Sequence, residues 1–263
     1  MPRIIGLLSW YDESPTFLAS CVASIAPHID HLIAVDGAYM HFPNGKGRSD
    51  RLQAETIEAI CEGAGISCTI HRPSETYFGN EVEKRTLMFK IGQAFAKPYE
   101  DWYWVIDADC IVHECPPNLR DVLAEIAADD VYAADVVLWE RRDYIGDVPD
   151  VARGLHLPTE SEQYLTCIYR VLRDMQVVGS HYVYAGFKED GSFTYVWGPH
   201  FIGTEDRVQL PQIRVEHRSI YRDLYRKDLS QTYYKVRDEL GIERVVPRNE
   251  QTQELEPIKV ERS

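Results

Sequence analysis

Residues 102–114 read WYWVIDADCIVHE, an apolar segment that runs directly into two aspartates separated by one alanine. Residues 102–106 are aromatic or β-branched, which predicts a buried strand. On extended backbone, Asp107 and Asp109 would point the same way and lie roughly 7 Å apart. Their charges would repel by about 2 kcal/mol at an effective dielectric constant near 20. A shared divalent cation would remove this repulsion, because hard cations prefer carboxylate oxygens. A solvated turn after a strand is the alternative, so the context of the motif must decide.

The composition is typical of a globular protein. The chain has 263 residues, of which 44% are hydrophobic and 27% are charged, enough for one large α/β domain or two small ones. The formal net charge is −14, which opposes non-specific binding to nucleic acids or anionic membranes. The 6 cysteines form no CxxC pair. We therefore expect reduced, buried thiols and no zinc site.

Membrane and export signals are not expected from the sequence. No apolar run has the length that a membrane span requires. The N-terminal residues MPRIIGLLSW lack a small-residue cleavage site, so they predict a first strand rather than a signal peptide. These features predict a cytoplasmic protein.

Strands and helices alternate over the first half of the chain. Strands are predicted at residues 3–10, 31–37, 67–72, 102–109 and 131–139, and helices at residues 14–29, 51–65, 80–96 and 116–129. This order predicts a mostly parallel sheet with helices on both faces. In such sheets, ligands bind beyond the carboxyl ends of the strands. Residues 9–12, Asp36 and the two aspartates would therefore meet at one crevice.

The second half of the chain has a mixed pattern of strand and helix signals. Residues 170–203 predict short strands with a glycine turn, which would form a small antiparallel extension, and residues 219–241 predict a long helix. Residues 247–263 are polar and predict a loosely attached tail. We expect a single domain over residues 1–246, with a nucleotide-sugar-binding half at 1–115 and an acceptor half with the C-terminal helix at 116–246.

Four segments together resemble the family 2 glycosyltransferases, which have the GT-A fold. They are LLSWYDESPTFLASCVASI (7–25), HLIAVDGAY (31–39), the stretch 79–109 that ends in DAD, and IRVEH (213–217). In the first segment Asp12 stands where the family usually has Asn. The resemblance implies a Rossmann-like α/β domain that transfers a sugar from a nucleotide diphosphate to an acceptor hydroxyl.

The resemblance also implies a metal site. Asp107 and Asp109 would bind Mn²⁺ or Mg²⁺, with Asp109 in direct contact and Asp107 nearer the ribose. Ala108 would let the donor approach its backbone. His217 would be a third ligand, since a neutral imidazole adds no repulsion. His200 or His181 could fill that role instead.

Further residues would hold the nucleotide. Asp36 would form a hydrogen bond to the base or ribose. The alternative is that Asp36 forms a turn. Ser9, Trp10 and Tyr11 would offer backbone groups and an aromatic face, although the two rings could equally be core packing. Asp12 could instead cap the following helix.

A helix with basic residues would enter the donor side. Arg85 would bind phosphate or brace the carboxylates. Its neighbour Lys84 would point elsewhere on the helix. The alternative is a solvated Glu–Lys face on which Glu81 and Arg85 pair at i,i+4.

An inverting transfer needs a carboxylate base. Asp206 is the candidate and Glu140 its rival, while Trp197 could stack on a sugar or lie in the core.

The sequence therefore predicts a metal-dependent, inverting glycosyltransferase acting on an acceptor glycan, lipid-linked glycan, protein or, less favoured, modified DNA. A nucleotidyltransferase is one alternative, although SWYDESP lacks the glycines and basic residues expected of its phosphate loop. The other is an inactive nucleotide- or carbohydrate-binding protein of the same fold.

Overall fold

The structure is a computed structural model that describes residues 1–43, 46–73, 78–142, 144–145, 148–149, 159–178, 183–197, 207–218, 232 and 235. The described chain forms a mixed α/β fold. A mostly parallel sheet has helices on both faces, and a small antiparallel sheet packs on one of these two faces. The main sheet has the strand order β3-β2-β1-β4-β9-β6-β13-β5.

The first half of the chain alternates strands and helices as the sequence predicts. Its elements are β1 (Ile4–Trp10), α1 (Pro15–Ile25), a 3-10 turn (Ala26–His28), β2 (His31–Asp36), α2 (Arg51–Gly63), β3 (Ser67–His71), α3 (Glu81–Gly92), β4 (Trp102–Asp107), β5 (Cys110–Glu114) and α4 (Leu119–Ala128). Proline at the first position of α1 needs no backbone N–H there, which favours a helix start. Helix α3 ends earlier than the predicted residue 96.

Apart from the helical residues Thr232 and Lys235, the secondary structure of the second half, among the described residues, consists of strands. They are β6 (Ala133–Arg142), β7 (Tyr144–Ile145), β8 (Val148–Pro149), β9 (Thr159–Arg170), β10 (Arg173–Val177), β11 (Val183–Phe187), β12 (Phe193–Trp197) and β13 (Arg207–His217). Strands β10, β11 and β12 form the small antiparallel sheet that the sequence predicts. The predicted helix at 219–241 lies outside the described residues apart from Thr232 and Lys235, which are helical, and the tail lies outside them altogether.

Two strands depart from the prediction. Strand β9 pairs antiparallel with both β4 and β6, so it interrupts the parallel order in the middle of the sheet. Strand β5 was not predicted, because residues 110–114 alternate only weakly in polarity. It pairs antiparallel with β13 at the edge of the sheet.

The core has two layers, one on each face of the sheet. One contains apolar side chains of α1, α2 and α4, including Leu18, Ile57 and Leu123. The other contains α3 and the small sheet, including Phe89 and Tyr184. Strands β1, β2 and β4 are buried on both faces, which explains their continuous apolar sequences. Within the part of the chain that the structure describes, no helix has the length and hydropathy to cross a membrane.

Candidate functional site

The site begins at the point where the strand order reverses. The chain passes from β1 through β2 to β3, and then returns to place β4 on the other side of β1. Ser9 is therefore in register with Val35 of β2 and with Asp107 of β4, and Trp10 is in register with Asp36. Open α/β sheets bind ligands at such a switch point, beyond the carboxyl ends of the strands. The convergence expected from the sequence is present.

The aspartate motif forms a turn rather than extended backbone. Strand β4 ends at Asp107, Ala108 and Asp109 form a turn, and β5 begins at Cys110. The expectation of two carboxylates on one side of an extended strand is therefore wrong. The two side chains have different surroundings, since that of Asp107 is 49% exposed and that of Asp109 only 3%. Ala108 is buried at 4% exposure.

Strand pairing brings His217 to Asp109. Cys110 is in register with His217 in the β5–β13 ladder, and the Arg218 backbone N–H donates to the Asp109 carbonyl at 2.7 Å. As a result, His217 Nε2 lies 3.1 Å from Asp109 Oδ2. Glu140, the rival candidate for the base, is in register with His217 on β6.

Arg85 connects Asp107 to α3. Its Nη2 donates to Asp107 Oδ1 at 2.7 Å, and its Nε donates to Glu81 Oε1 at 2.8 Å. Burial acts to lower the pKa of Arg85, but the charges of Asp107 and Glu81 outweigh it, and the pKa is raised well above its ordinary value. The guanidinium is thus a fixed positive charge at the switch point. The Glu81–Arg85 pair that the alternative predicts is present, but a solvated face is wrong, because Arg85 and Lys84 are both buried.

Lys84 joins the ends of β1 and β2. It is 1% exposed, and its Nζ donates to the carbonyls of Trp10 at 2.6 Å and Gly37 at 2.8 Å. Gly37 has a φ of 131°, and a Cβ there would lie 2.8 Å from the Phe78 ring, so this turn requires glycine. Lys84 thus points to a different place from Arg85, as the sequence predicts, but it is buried at the ends of β1 and β2.

Asp36 is completely buried and holds the loop that follows β2. Ser49 donates its backbone N–H to Oδ2 at 3.0 Å and its hydroxyl to Oδ1 at 2.5 Å. Arg72 Nε donates to Oδ2 at 3.2 Å, and its Nη2 donates to the Ser49 carbonyl. Asp36 thus positions Ser49 and Arg72, and any direct bond to a nucleoside would have to displace one of these donors.

Residues 9–12 form the end of β1 and the turn that follows it. Ser9 is partly buried, whereas Trp10 is 2% exposed and packs in the core beneath the switch point. The Tyr11 hydroxyl donates to the Lys46 carbonyl at 2.7 Å, and its ring meets that of Phe42 edge-on at 5.0 Å. The Asp12 N–H donates to the Ser49 hydroxyl at 2.7 Å, which links this turn to Asp36. The Trp10 ring is therefore core packing, as the alternative interpretation had it.

Several predicted residues lie outside the described part of the chain. They are Asp206, His181 and His200, together with the side chains of Glu140 and Trp197. The general base consequently remains a prediction.

Asp109 and His217 suit a divalent cation in donor type, being a carboxylate oxygen and an imidazole nitrogen. Their separation of 3.1 Å is close to the roughly 3 Å between neighbouring ligands of an octahedral ion. Across the described residues, however, no group of three or more His, Cys, Asp or Glu side chains is arranged to hold a metal. A cation bound here would take its other ligands from phosphate and water, as Mg²⁺ commonly does. The ligand roles of Asp107, Asp109 and His217 remain predictions.

Two site residues were missed by the sequence analysis, Ser49 and Arg72. Arg72 directly follows β3, the strand next to β2, so its position at a strand end was a usable signal. Ser49 lies in a polar loop with no comparable pattern.

Comparison with known proteins identifies no family. No protein-family model matches the chain, and no curated protein matches it. Among solved structures, the chain is similar to the crystal structure of UDP-glucose pyrophosphorylase complexed with UDP-glucose. The identity is 12%, the match covers 90% of this chain and 100% of that chain, and the TM-score is 0.29. A likeness of this size defines neither fold nor function.

Proposed function

We propose that this protein is a metal-dependent glycosyltransferase that uses a nucleotide-diphosphate sugar as donor. The observation that carries the proposal is the meeting of Arg85, Asp107, Asp109 and His217 at the switch point of the sheet. These residues come from α3, the β4–β5 turn and the end of β13. Such a gathering of one fixed cation, two carboxylates and an imidazole suits the recognition of a diphosphate with its counter-ion.

The donor would bind with its nucleoside near Tyr11 and Arg72 and its diphosphate near the β4–β5 turn. Tyr11 follows β1, Asp36 ends β2 and Arg72 follows β3, so the three residues stand at the carboxyl ends of neighbouring strands. Arg72 keeps 20% of its side chain exposed, so it can contact a ligand while it is bonded to Asp36. We expect Asp36 to act here by positioning Arg72 and Ser49.

The transfer breaks the bond between the anomeric carbon and the diphosphate oxygen, and the electron pair leaves with the nucleoside diphosphate. The acceptor oxygen forms the new bond and loses its proton to a carboxylate base, for which Asp206 and Glu140 are the candidates. Arg85 would stabilise the charge that develops on the leaving diphosphate, since it is fixed by Asp107 and Glu81 and needs no reorganisation. A divalent cation on Asp109 and His217 would supply further charge stabilisation when bound.

A screen of nucleotide sugars tests the proposal. The chain is incubated with UDP-, GDP-, dTDP- and CMP-sugars in the presence of Mn²⁺, and the released products are identified. A glycosyltransferase releases the nucleoside diphosphate, or the monophosphate from a CMP-sugar. A parallel incubation with a nucleoside triphosphate and a sugar 1-phosphate tests for a nucleotidyltransferase, which joins them into a nucleotide sugar and releases pyrophosphate from the triphosphate. Calorimetry with the free nucleoside diphosphates, with and without Mn²⁺, separates a transferase from a simple sugar-binding protein. Absence of any nucleotide binding would overturn the proposal.

The location and acceptor stay predictions. The predicted location is the cytoplasm, and the predicted acceptor is a glycan, a lipid-linked glycan or a protein; the net charge of −14 disfavours a nucleic-acid acceptor.

A further inference from the structure

A pocket lies beside the candidate site on the edge of the main sheet. Its volume is about 300 Å³, and it is lined by His113, Glu114, Trp139, Arg214, Val215 and Glu216. These residues come from β5, β6 and β13. Glu216 directly precedes His217, so the pocket and the candidate metal ligand share the end of one strand. Successive strand residues point to opposite faces, so the Glu216 side chain and the pocket lie on the face opposite the His217 side chain, at the same carboxyl end of β13.

The polar groups of the pocket already have partners, and their charges do not favour an anion. His113 Nε2 lies 2.8 Å from Glu216 Oε2, and Arg214 pairs with Glu114 and Glu162. Arg218 Nε also lies 3.9 Å from Glu216 Oε2, so three carboxylates (Glu114, Glu162 and Glu216) stand near the pocket against two guanidiniums. A phosphate or carboxylate ligand would meet net repulsion here, whereas hydroxyl groups can both donate to the carboxylates and accept from Arg214 and His113.

Trp139 supplies an aromatic group at the same place. It is partly buried, and it is in register with Glu216 in the β6–β13 ladder. Residues in register on neighbouring strands have side chains on the same face, so the indole and the Glu216 carboxylate lie side by side. An apolar face next to hydrogen-bonding groups complements a sugar ring, which has C–H bonds on its faces and hydroxyls at its edge.

We propose that this pocket binds a neutral sugar ring of the acceptor, with Trp139 as its main contact. The inference rests on the proposed function, which it deepens by naming the acceptor as a carbohydrate. The volume is at the lower end of small-molecule pockets and accommodates a single ring. The position near the carboxyl end of β13, where the proposed donor site also lies, places that ring where its chain could extend a hydroxyl toward the donor.

Saturation-transfer NMR with methyl glycosides tests the inference without turnover. The probes are the methyl α- and β-glycosides of glucose, galactose, mannose and N-acetylglucosamine, and methyl glucuronide serves as the anionic comparison. We expect at least one neutral glycoside to bind and methyl glucuronide not to bind. Trp139→Ala should weaken that binding about tenfold or more, while Trp139→Phe, which keeps an aromatic face, should weaken it less.

A matched control separates the pocket from general effects on aromatic side chains. Phe193 is 41% exposed on β12 of the separate small sheet, so Phe193→Ala should leave glycoside binding unchanged. Circular dichroism and nucleotide binding are measured on every variant to confirm the fold. Absence of binding by all neutral glycosides, or equal binding by the parent and Trp139→Ala, would overturn the inference.

The failures of the two proposals are distinguishable. If nucleoside diphosphates bind and no neutral glycoside does, the pocket assignment alone is wrong. If glycosides bind through Trp139 and no nucleotide does, the pocket is a carbohydrate site and the transferase proposal is wrong.

Discussion

His217 Nε2 lies 3.1 Å from Asp109 Oδ2, although the two residues come from opposite halves of the chain. Their proximity follows from backbone pairing, since β5 leaves the Asp109 turn and runs antiparallel to β13, which ends at His217. The Arg218 N–H to Asp109 carbonyl bond fixes the same junction. Asp109 is 3% exposed, so its carboxylate and the imidazole form one unit at the edge of the crevice.

The first prediction concerns this unit. Asp109→Asn and His217→Ala should each abolish most of the Mn²⁺-dependent component of nucleotide binding, because each removes one of two ligands. Since the two side chains are in contact, the double variant should lose much less than the sum, with a coupling of about 0.5–3 kcal/mol. Calorimetry with the nucleoside diphosphate, with and without Mn²⁺, measures the Mn²⁺-dependent and the Mn²⁺-independent components of binding.

The matched control for this cycle is Asp174→Asn, a largely exposed aspartate on β10. It should bind nucleotide as the parent does. Parent-like Mn²⁺ dependence in Asp109→Asn would show that the metal assignment is wrong.

The second prediction concerns Arg85. Arg85→Lys keeps a positive charge, but its single nitrogen cannot reproduce the two hydrogen bonds that separate guanidinium nitrogens donate to Glu81 and Asp107. We expect donor affinity to fall by about 1–3 kcal/mol, the range for charge-assisted hydrogen bonds. Calorimetry with nucleoside diphosphate compares it with Arg51→Lys, which changes an exposed i,i+4 pair and should have no effect. If Arg85→Lys weakens the binding of the nucleoside, which has no phosphates, as well as that of the nucleoside diphosphate, Arg85 has a general structural role.

The third prediction concerns Asp36. Asp36→Asn removes the negative charge of the side chain that accepts hydrogen bonds from Ser49 and Arg72. The contact between residue 36 and the Arg72 guanidinium is therefore weakened. Stability should fall by about 1–3 kcal/mol, as measured by urea unfolding. If Asp36 acts by positioning, Arg72→Ala should weaken nucleoside binding as much as Asp36→Asn does. Weakened binding in Asp36→Asn alone would instead indicate direct contact between Asp36 and the nucleoside.

The sequence predicts the part of the site that depends on strand ends. Strands β1, β2 and β4 are continuous apolar segments, and Asp36 and Asp107 stand at their ends, so parallel pairing alone brings them together. The pattern cannot show partners that arise from long-range packing. Lys84 and Arg85 look like a solvated helix face, yet α3 packs that face on the sheet and buries both.

The antiparallel strands were predictable only in part. Residues 159–163 are all polar and residues 164–169 are mainly apolar, so no simple period marks β9. The turn at Ala108–Asp109 is set by the pairing of β5 with β13, a contact that lies beyond any local pattern.

The fourth prediction concerns the cysteines. Burial, with a smaller effect of Cys68, raises the pKa of Cys61 to about 12. An unfolded thiol keeps an ordinary pKa near 8.5. Between these values the unfolded chain releases a proton that the folded chain retains, so the stability present below pH 8.5 is lost as the pH rises toward 12. Urea unfolding from pH 7.5 to 9.5 should show a smaller decline for Cys61→Ala than for the parent, and equal slopes would contradict the assignment.

The last prediction concerns Lys84, whose ammonium holds the carbonyls of Trp10 and Gly37 and lies 5.6 Å from the Tyr39 ring centroid. Lys84→Met fills similar volume but donates no hydrogen bond, so two strand ends lose a shared donor. We expect the free energy of unfolding to fall by about 1–3 kcal/mol, the cost of leaving buried acceptors without a partner. Because these strand ends carry Tyr11 and border Asp36, nucleoside affinity should fall as well. Lys90→Met, at an exposed position of the same helix, is the control and should change neither quantity. If urea unfolding shows the expected loss while nucleoside affinity is unchanged at a temperature where both proteins are folded, Lys84 stabilises the fold without shaping the crevice.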